Sequence, residues 1–163
     1  MEQIKPTYKS SFQGVKFLVF KLGAEEYAID ILHVQEIKSA KSITQITKIP
    51  GSPPHIIGVI TLHETVIPLI DLRILNHTLK DEKNFNVVMI LNIHNKQVGI
   101  VVDAVIDIIE LISEQIKPAP DFVSIIKKEY ITGIANINED MIMIIDVKKL
   151  LLSEELQLAL HIA

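Results

Sequence analysis

Six histidines and twenty acidic side chains are the residues best equipped for chemistry in this chain, as metal ligands or as general acids and bases. His33 and Glu36 stand three apart, and His63-Glu64 would have to join them in space to complete a ligand set. No H-E-x-x-H, no H-x-H pair and no Cys–His spacing supports such a site, so scattered surface histidines are expected and no metal or other cofactor. Asp71 and Asp146 could be taken for paired acids. Each instead ends an apolar run and opens a segment with helical character, where a carboxylate caps the first backbone N–H groups. Asp103 and Asp107 in VDAVID alternate with apolar residues and are expected to face solvent. The chain has no cysteine, which removes thiolate nucleophiles, disulfides and Cys-bound metals. It also has no G-x-S-x-G, no phosphate-cradling glycine loop and no dinucleotide fingerprint.

A net charge of −4 removes the usual electrostatic reason to bind a polyanion, and Lys38, Lys41 and Lys48 lack stacking aromatic neighbours. Catalysis and nucleic-acid binding are both poorly served. Apolar residues make up 48% of the 163 positions and are mostly Ile, Val and Leu, a β-branched composition that favours strands. With so much apolar surface in a small body, contiguous exposed patches are expected to mark partner sites. No run of about 18 uninterrupted apolar residues is present and the N-terminus is polar, so a soluble cytoplasmic protein without membrane insertion is expected.

Residues 1–13 lack periodicity and read as a loose tail ahead of one domain over residues 14–163. Apolar runs at Phe17–Leu22, Tyr27–Ile31, Ile56–Leu62, Val66–Leu72, Val87–Ile93 and Val98–Val102 read as strands, as do Asp103–Leu111, Ile131–Ile137 and Met141–Val147. Their spacing, with turn residues between, predicts a barrel or sandwich. One helix is expected over Val147–Leu160. The tract Ile74–Asn86 reads as a polar connection.

An internal repeat organises this series. GVITLHETVIPLIDLRIL from Gly58 aligns without a gap on GIANINEDMIMIIDVKKL from Gly133, an offset of 75. Phe17–Ile37 aligns on Val88–Ile108 at an offset of 71, pairing Val34 with Val105 and Glu36 with Asp107. The two copies span about 17–75 and about 88–150. Each carries about five strands, enough for a small SH3-like barrel, and a unit of that size must pack closely against its twin or exchange strands with it. Gly58 and Gly133 each open a strand where backbones approach closely.

The runs FLVFKLGAEEYAIDILHVQEI, GVITLHETVIPLIDLR, VGIVVDAVIDII, EQIKPAP and YITGIANI closely resemble the bacterial chemotaxis coupling proteins of the CheW family, from about Phe17 to Leu156. The resemblance implies a mainly β fold of two intertwined five-stranded SH3-like subbarrels and a scaffold without catalysis. It implies two partners, the cytoplasmic tip of transmembrane chemoreceptors and the regulatory domain of a CheA-type histidine kinase. Val34, Glu36 and Gly58 match family positions tied to receptor and kinase binding, and Val105 and Ile108 match another partner-binding set. The place of action would be the cytoplasm, with recruitment to membrane receptor arrays. A coupler for another output, such as pilus motility, is the alternative within the family. A metal-dependent hydrolase or a purely structural array component are the alternatives outside that role.

The chain departs from the family where N-L-R-G is usual and Thr61-Leu62-His63-Glu64 stands instead. The customary arginine, expected to pair with Glu36, is His63, and an imidazole lacks the fixed five-donor fork of a guanidinium. Glu64 replaces a glycine, adds an acid and gives up backbone freedom if the turn needs positive φ. The loop Lys48–His55 is longer and richer in proline than expected and would reshape the nearby groove.

Overall fold

The structure is a computed structural model in which residues 14–75, 85–122, 124–154 and 156–162 are described. The expected tail at 1–13 and most of the connection at 74–86 lie outside those residues. Ten strands form the body: β1 (Val15–Leu22), β2 (Glu25–Asp30), β3 (Val34–Ser39), β4 (Ile56–Leu62), β5 (Thr65–Ile70), β6 (Val87–Ile93), β7 (Lys96–Val102), β8 (Ala104–Leu111), β9 (Ile131–Ile137) and β10 (Asp140–Ile145). They form two five-stranded sheets, ordered β8-β1-β2-β10-β9 and β3-β6-β7-β5-β4.

Neither sheet belongs to one copy of the repeat. The first sheet takes β1 and β2 from the first copy and β8, β9 and β10 from the second, and the other sheet takes the complementary set. Exchanging the copies converts one strand order into the other, so the two subbarrels are intertwined around a pseudo-twofold relation. The irregularities repeat as well. The β3–β6 ladder gains a residue at Gln35 and the β1–β8 ladder gains one at Ile106, which is Gln35 shifted by 71. The β4–β5 ladder slips between Ile56 and Gly58, and the β9–β10 ladder between Ile131 and Gly133.

Burial explains why the central strands read as unbroken apolar runs. Leu18, Phe20 and Leu22 of β1 enter a large cluster shared by the two sheets, while Phe17 and Val19 fill the interior of the first barrel. In β6, Met89, Leu91 and Ile93 join the shared cluster, and Val88 and Ile90 fill the second barrel. A strand covered on both faces has no solvent side, so the alternation of polar and apolar residues disappears. β3 shows the opposite case. Its alternating half-buried and exposed residues lie at a sheet edge, and its HVQEIKS text hid it among the loops.

Tyr27 closes one end of the shared cluster. Its hydroxyl donates to Glu25 and accepts from the Ile126 amide at 3.1 Å, and Glu25 also accepts from the Ile125 amide at 2.8 Å. Burial first, then the hydrogen bond to Glu25, pushes the Tyr27 phenol above its ordinary range.

The C-terminal segment differs from the single helix expected over Val147–Leu160. It is two short helices, α2 (Val147–Leu151) and α3 (Gln157–Ile162), after α1 (Leu72–Leu75) earlier in the chain. The break at Leu152–Ser153 lets Leu150, Leu151, Leu156 and Ala159 all reach the shared cluster, and α3 rests on β5 and β7. One straight helix would place those four residues around too wide an arc to bury together.

Gly58 and Gly133 supply the close approach that the sequence implied. A Cβ on Gly58 would lie 2.7 Å from the Thr47 carbonyl oxygen, and one on Gly133 2.8 Å from that of Lys117. The segments they admit are themselves related, through the bridges Thr47–Val59 and Lys117–Ile134. Gly58 also sits at φ 149°. Gly58→Ala and Gly133→Ala are each expected to cost about 1–3 kcal/mol, since backbone must shift to make room. Urea unfolding with an unchanged m-value checks this, and Gly58→Ala, which adds backbone strain to the clash, should be the worse of the two.

Candidate functional site

The named site residues fall on two faces. On the second barrel, edge strand β3 carries Val34 and Glu36, and the β4–β5 hairpin carries Gly58 and His63. The hairpin tip reaches back to the opposite edge of the same sheet. There His63 Nε2 lies 3.4 Å from Glu36 Oε1, while Lys38 Nζ lies 3.5 Å from Glu36 Oε2. The expected acid–histidine pair therefore spans the barrel's open seam. It is exposed on the histidine side, with 74% of that side chain accessible, so it orients the hairpin more than it stabilises the fold. Gly58 is buried beneath Ile46 and Thr47, which makes it a support for this face.

On the first barrel, edge strand β8 carries Val105 and Ile108. Val34 and Val105 both pack against the shared cluster, as their equivalence in the repeat requires. The bulge that follows each valine turns the strand, so that the next apolar residues point outward. Ile37 and Ile108, again equivalent, are 45% and 50% exposed, and Ile106 on the β8 bulge is 46% exposed. The structure thus brings Glu36 and His63 together and leaves Val105 and Ile108 on the other barrel. Ile37 and Ile106 escaped sequence reasoning, although the pairing of Ile37 with Ile108 was available from the repeat.

His33 closes the helical turn 31–33 just ahead of β3, and His63, not His33, forms the ion pair with Glu36. No group of three or more His or acidic side chains is placed to hold a metal ion among the described residues. Asp71 and Asp146 both cap, accepting from the Arg73 and Lys149 amides at 2.9 and 3.0 Å. Asp103 corrects the expectation that it faces solvent, because it is half-buried against Arg73. Asp107 is exposed, with Oδ1 accepting from the Ile108 amide at 2.7 Å. The proline-rich loop Lys48–His55 lines an apolar cleft of ≈ 650 Å³ with Ile43, Ile46, Ile57 and Phe85.

His63 and Glu64 sit at φ 52° and 67°, the conformation of a two-residue type I′ hairpin. Asn138 and Glu139 repeat this at 51° and 71°, and His94-Asn95 forms a third such turn at 52° and 64°. Left-handed backbone is strained for side chains other than glycine and, to a lesser degree, asparagine.

The fold and its two edge faces define a class: an all-β protein of two interlocked five-stranded SH3-like barrels with related, partly apolar strand edges. A CheW-like domain model matches residues 16–155. The chain is 43% identical over 152 residues to the chemotaxis protein CheW of Klebsiella aerogenes, covering 92% of this chain and 89% of that protein. It is 34% identical to a probable chemotaxis protein CheW of Rhizobium etli, covering 93% and 97%. The crystal structure of the scaffolding protein TtCheW from Thermoanaerobacter tengcongensis superposes with a TM-score of 0.73 at 34% identity, covering 86% of this chain and 90% of that one. The chain belongs to the CheW-like domain family.

The strained hairpins predict that Glu139→Gly raises stability by about 0.5–1 kcal/mol, the relief of left-handed strain less glycine's extra unfolded-state entropy. Glu64→Gly should do the same, less any contribution of the His63–Glu36 pair that it loosens. A double-mutant cycle on His63→Ala and Glu36→Ala is expected to give a coupling of about 0–1 kcal/mol in chemical unfolding.

Proposed function

We propose that this protein is a non-catalytic adaptor that couples transmembrane chemoreceptors to a CheA-type histidine kinase in bacterial chemotaxis. The observation that carries the reading is the pair of related strand-edge faces, one on each intertwined barrel, in a chain of the CheW-like family. An adaptor must hold two partners at a set spacing, and two barrels locked by exchanged strands supply two rigid platforms. Val34, Glu36, Gly58 and His63 serve one face, and Val105 and Ile108 the other. Half-exposed Ile37 on one face and Ile106 and Ile108 on the other supply association energy, and Glu36 and Asp107 supply orientation and on-rate. The cytoplasmic tip of the receptor and the regulatory domain of the kinase are the partners. Among the described residues no helix is long and apolar enough to cross a membrane. The adaptor acts in the cytoplasm and joins the membrane through its receptor.

Kinase output follows receptor state only if the contacts made through the adaptor differ between the receptor's two conditions. Receptor choice then rests on the seam where His63 has taken the place of arginine. Histidine offers one directional donor to Glu36 where a guanidinium fork offers several, and Glu64 adds a negative charge beside it.

Kinase autophosphorylation in a mixture of receptor signalling tips, kinase and this protein tests the reading. Activation that needs all three components is expected. Kinase binding without activation would favour a structural array component, and failure to bind either partner would overturn the adaptor reading. In the same assay the double change His63→Arg and Glu64→Gly is expected to tighten binding to a standard receptor tip by up to about fivefold, the range of one exposed ion pair. Unchanged affinity in a titration would remove the seam from receptor choice.

A further inference from the structure

The two barrels share an apolar cluster, and apolar contact resists separation far better than it resists sliding, because it has no preferred direction. Something directional must set the angle between them. At one of the two places where the chain crosses between sheets, the structure holds such a device. Arg73, in α1 just beyond β5, donates from Nε and Nη2 to the two oxygens of Asp71 at 3.0 and 2.9 Å. Its Nη1 donates to Asp103 Oδ1 at 2.8 Å. Asp103 lies on the crossover from β7 of one sheet to β8 of the other. Its second oxygen accepts from the Gly23 amide at 2.6 Å, in the β1–β2 turn of the first sheet, and its own amide donates to the Lys21 carbonyl at 3.0 Å. Asn86 completes the set by donating from Nδ2 to the Asp103 carbonyl at 3.0 Å.

Asp71 and Arg73 are buried, at 0% and 5% exposure. Burial alone would weaken the Arg73 charge, yet Asp71 and then Asp103 outweigh it and hold the guanidinium above its ordinary pKa. The other crossover, from β2 to β3, carries the repeat-equivalent residues and lacks this arrangement. Leu32 stands where Asp103 stands and is 85% exposed, His94 stands for Gly23, and both Asp146 and Lys148 are exposed. The related sites are therefore unlike: one tethered by a planar fork of hydrogen bonds, the other capped only locally by Asp30 on the Leu32 amide at 3.0 Å.

We propose that Arg73, Asp71 and Asp103 are positioning residues that fix the angle between the two barrels, and through it the spacing of the two partner faces. The β2–β3 crossover is the compliant side. The effect on partners rests on the adaptor reading; the geometry does not, and the two can be tested apart.

Because the chain has no cysteine, Thr61→Cys and Asn136→Cys introduce the only two labelling sites. They are exposed, equivalent in the repeat, and lie on β4 and β9 of different sheets. Distances between spin labels at these sites, measured by double electron–electron resonance, are expected to form one narrow distribution in the parent protein. Arg73→Met and Asp103→Asn should broaden or shift it, and Lys148→Met at the equivalent position should leave it unchanged. If Arg73→Met does not fold, Arg73→Lys keeps the charge but loses the fork and should still broaden the distribution. An unchanged distribution in a folded Arg73 or Asp103 variant would overturn the proposal, as would equal broadening by Lys148→Met. In the reconstituted kinase assay the Asp103→Asn protein is expected to bind each partner alone within about twofold of the parent, yet to lose several-fold in activation when both are present. Equal loss in the separate binding steps would overturn the positioning role while leaving the adaptor reading intact.

Discussion

The structure depends on strands that are buried on both faces. Each central strand faces its own barrel interior on one side and the shared cluster on the other, so each barrel's wall is also part of the common core. A repeat of about 60 residues could not bury enough apolar surface alone, since small domains leave too much of their surface in water. Exchange of strands between the copies solves this by joining three apolar interiors into one body. The cost is that neither barrel is a separable unit, and any change in a central strand is felt in two cores.

Within that body the polar interactions do what apolar packing cannot. A triad around Arg73, in which each guanidinium nitrogen donates to a carboxylate, places directional, charge-assisted bonds at one crossover, where burial lends them strength. Taking Arg73 away would leave the buried Asp71 carboxylate without its ion-pair partner, which is the expensive way to break such a site. The pseudo-twofold relation is broken here: the ladders, bulges and close-approach glycines repeat, but the β2–β3 crossover is a helical turn over Ile31–His33 where the β7–β8 crossover is Asp103 alone, and among the described residues the ionic tether occurs at one of the two sites.

The two faces proposed for partners follow from edges. In each sheet the strand that crosses over from the other copy's neighbourhood ends at an edge, anchored to the common core by one valine and turned outward by a bulge. The same device therefore serves two faces with different chemistry, one lined by Glu36, Lys38 and His63 and the other by Asp107 and three half-exposed isoleucines counting Ile37's equivalent Ile108, the bulged Ile106 and Ile112 at the strand's end. Strain at the His63-Glu64 tip belongs to the hairpin type, since the equivalent Asn138-Glu139 tip carries it too.

Much of this was legible in the text of the chain. Nine of the strands announced themselves as apolar runs, the repeat was readable from Gly58 and Gly133, and the family resemblance implied the pairing of Glu36 with His63. β3 was not legible, because an edge strand with one exposed face spells HVQEIKS and resembles a loop. The helix over 147–160 was overdrawn, because periodicity does not reveal where a helix must break to bury both of its ends. Asp103 was misread, because alternation with valine is the same whether a carboxylate meets water or a guanidinium thirty residues away. The sequence by itself determined the duplicated β architecture and the family, since apolar periodicity and repeated text are local properties. Which copy's strands fill which sheet, which isoleucines remain outside, and where Arg73 finds its second carboxylate were decided only in the tertiary structure, because each depends on residues that meet through space and not along the chain.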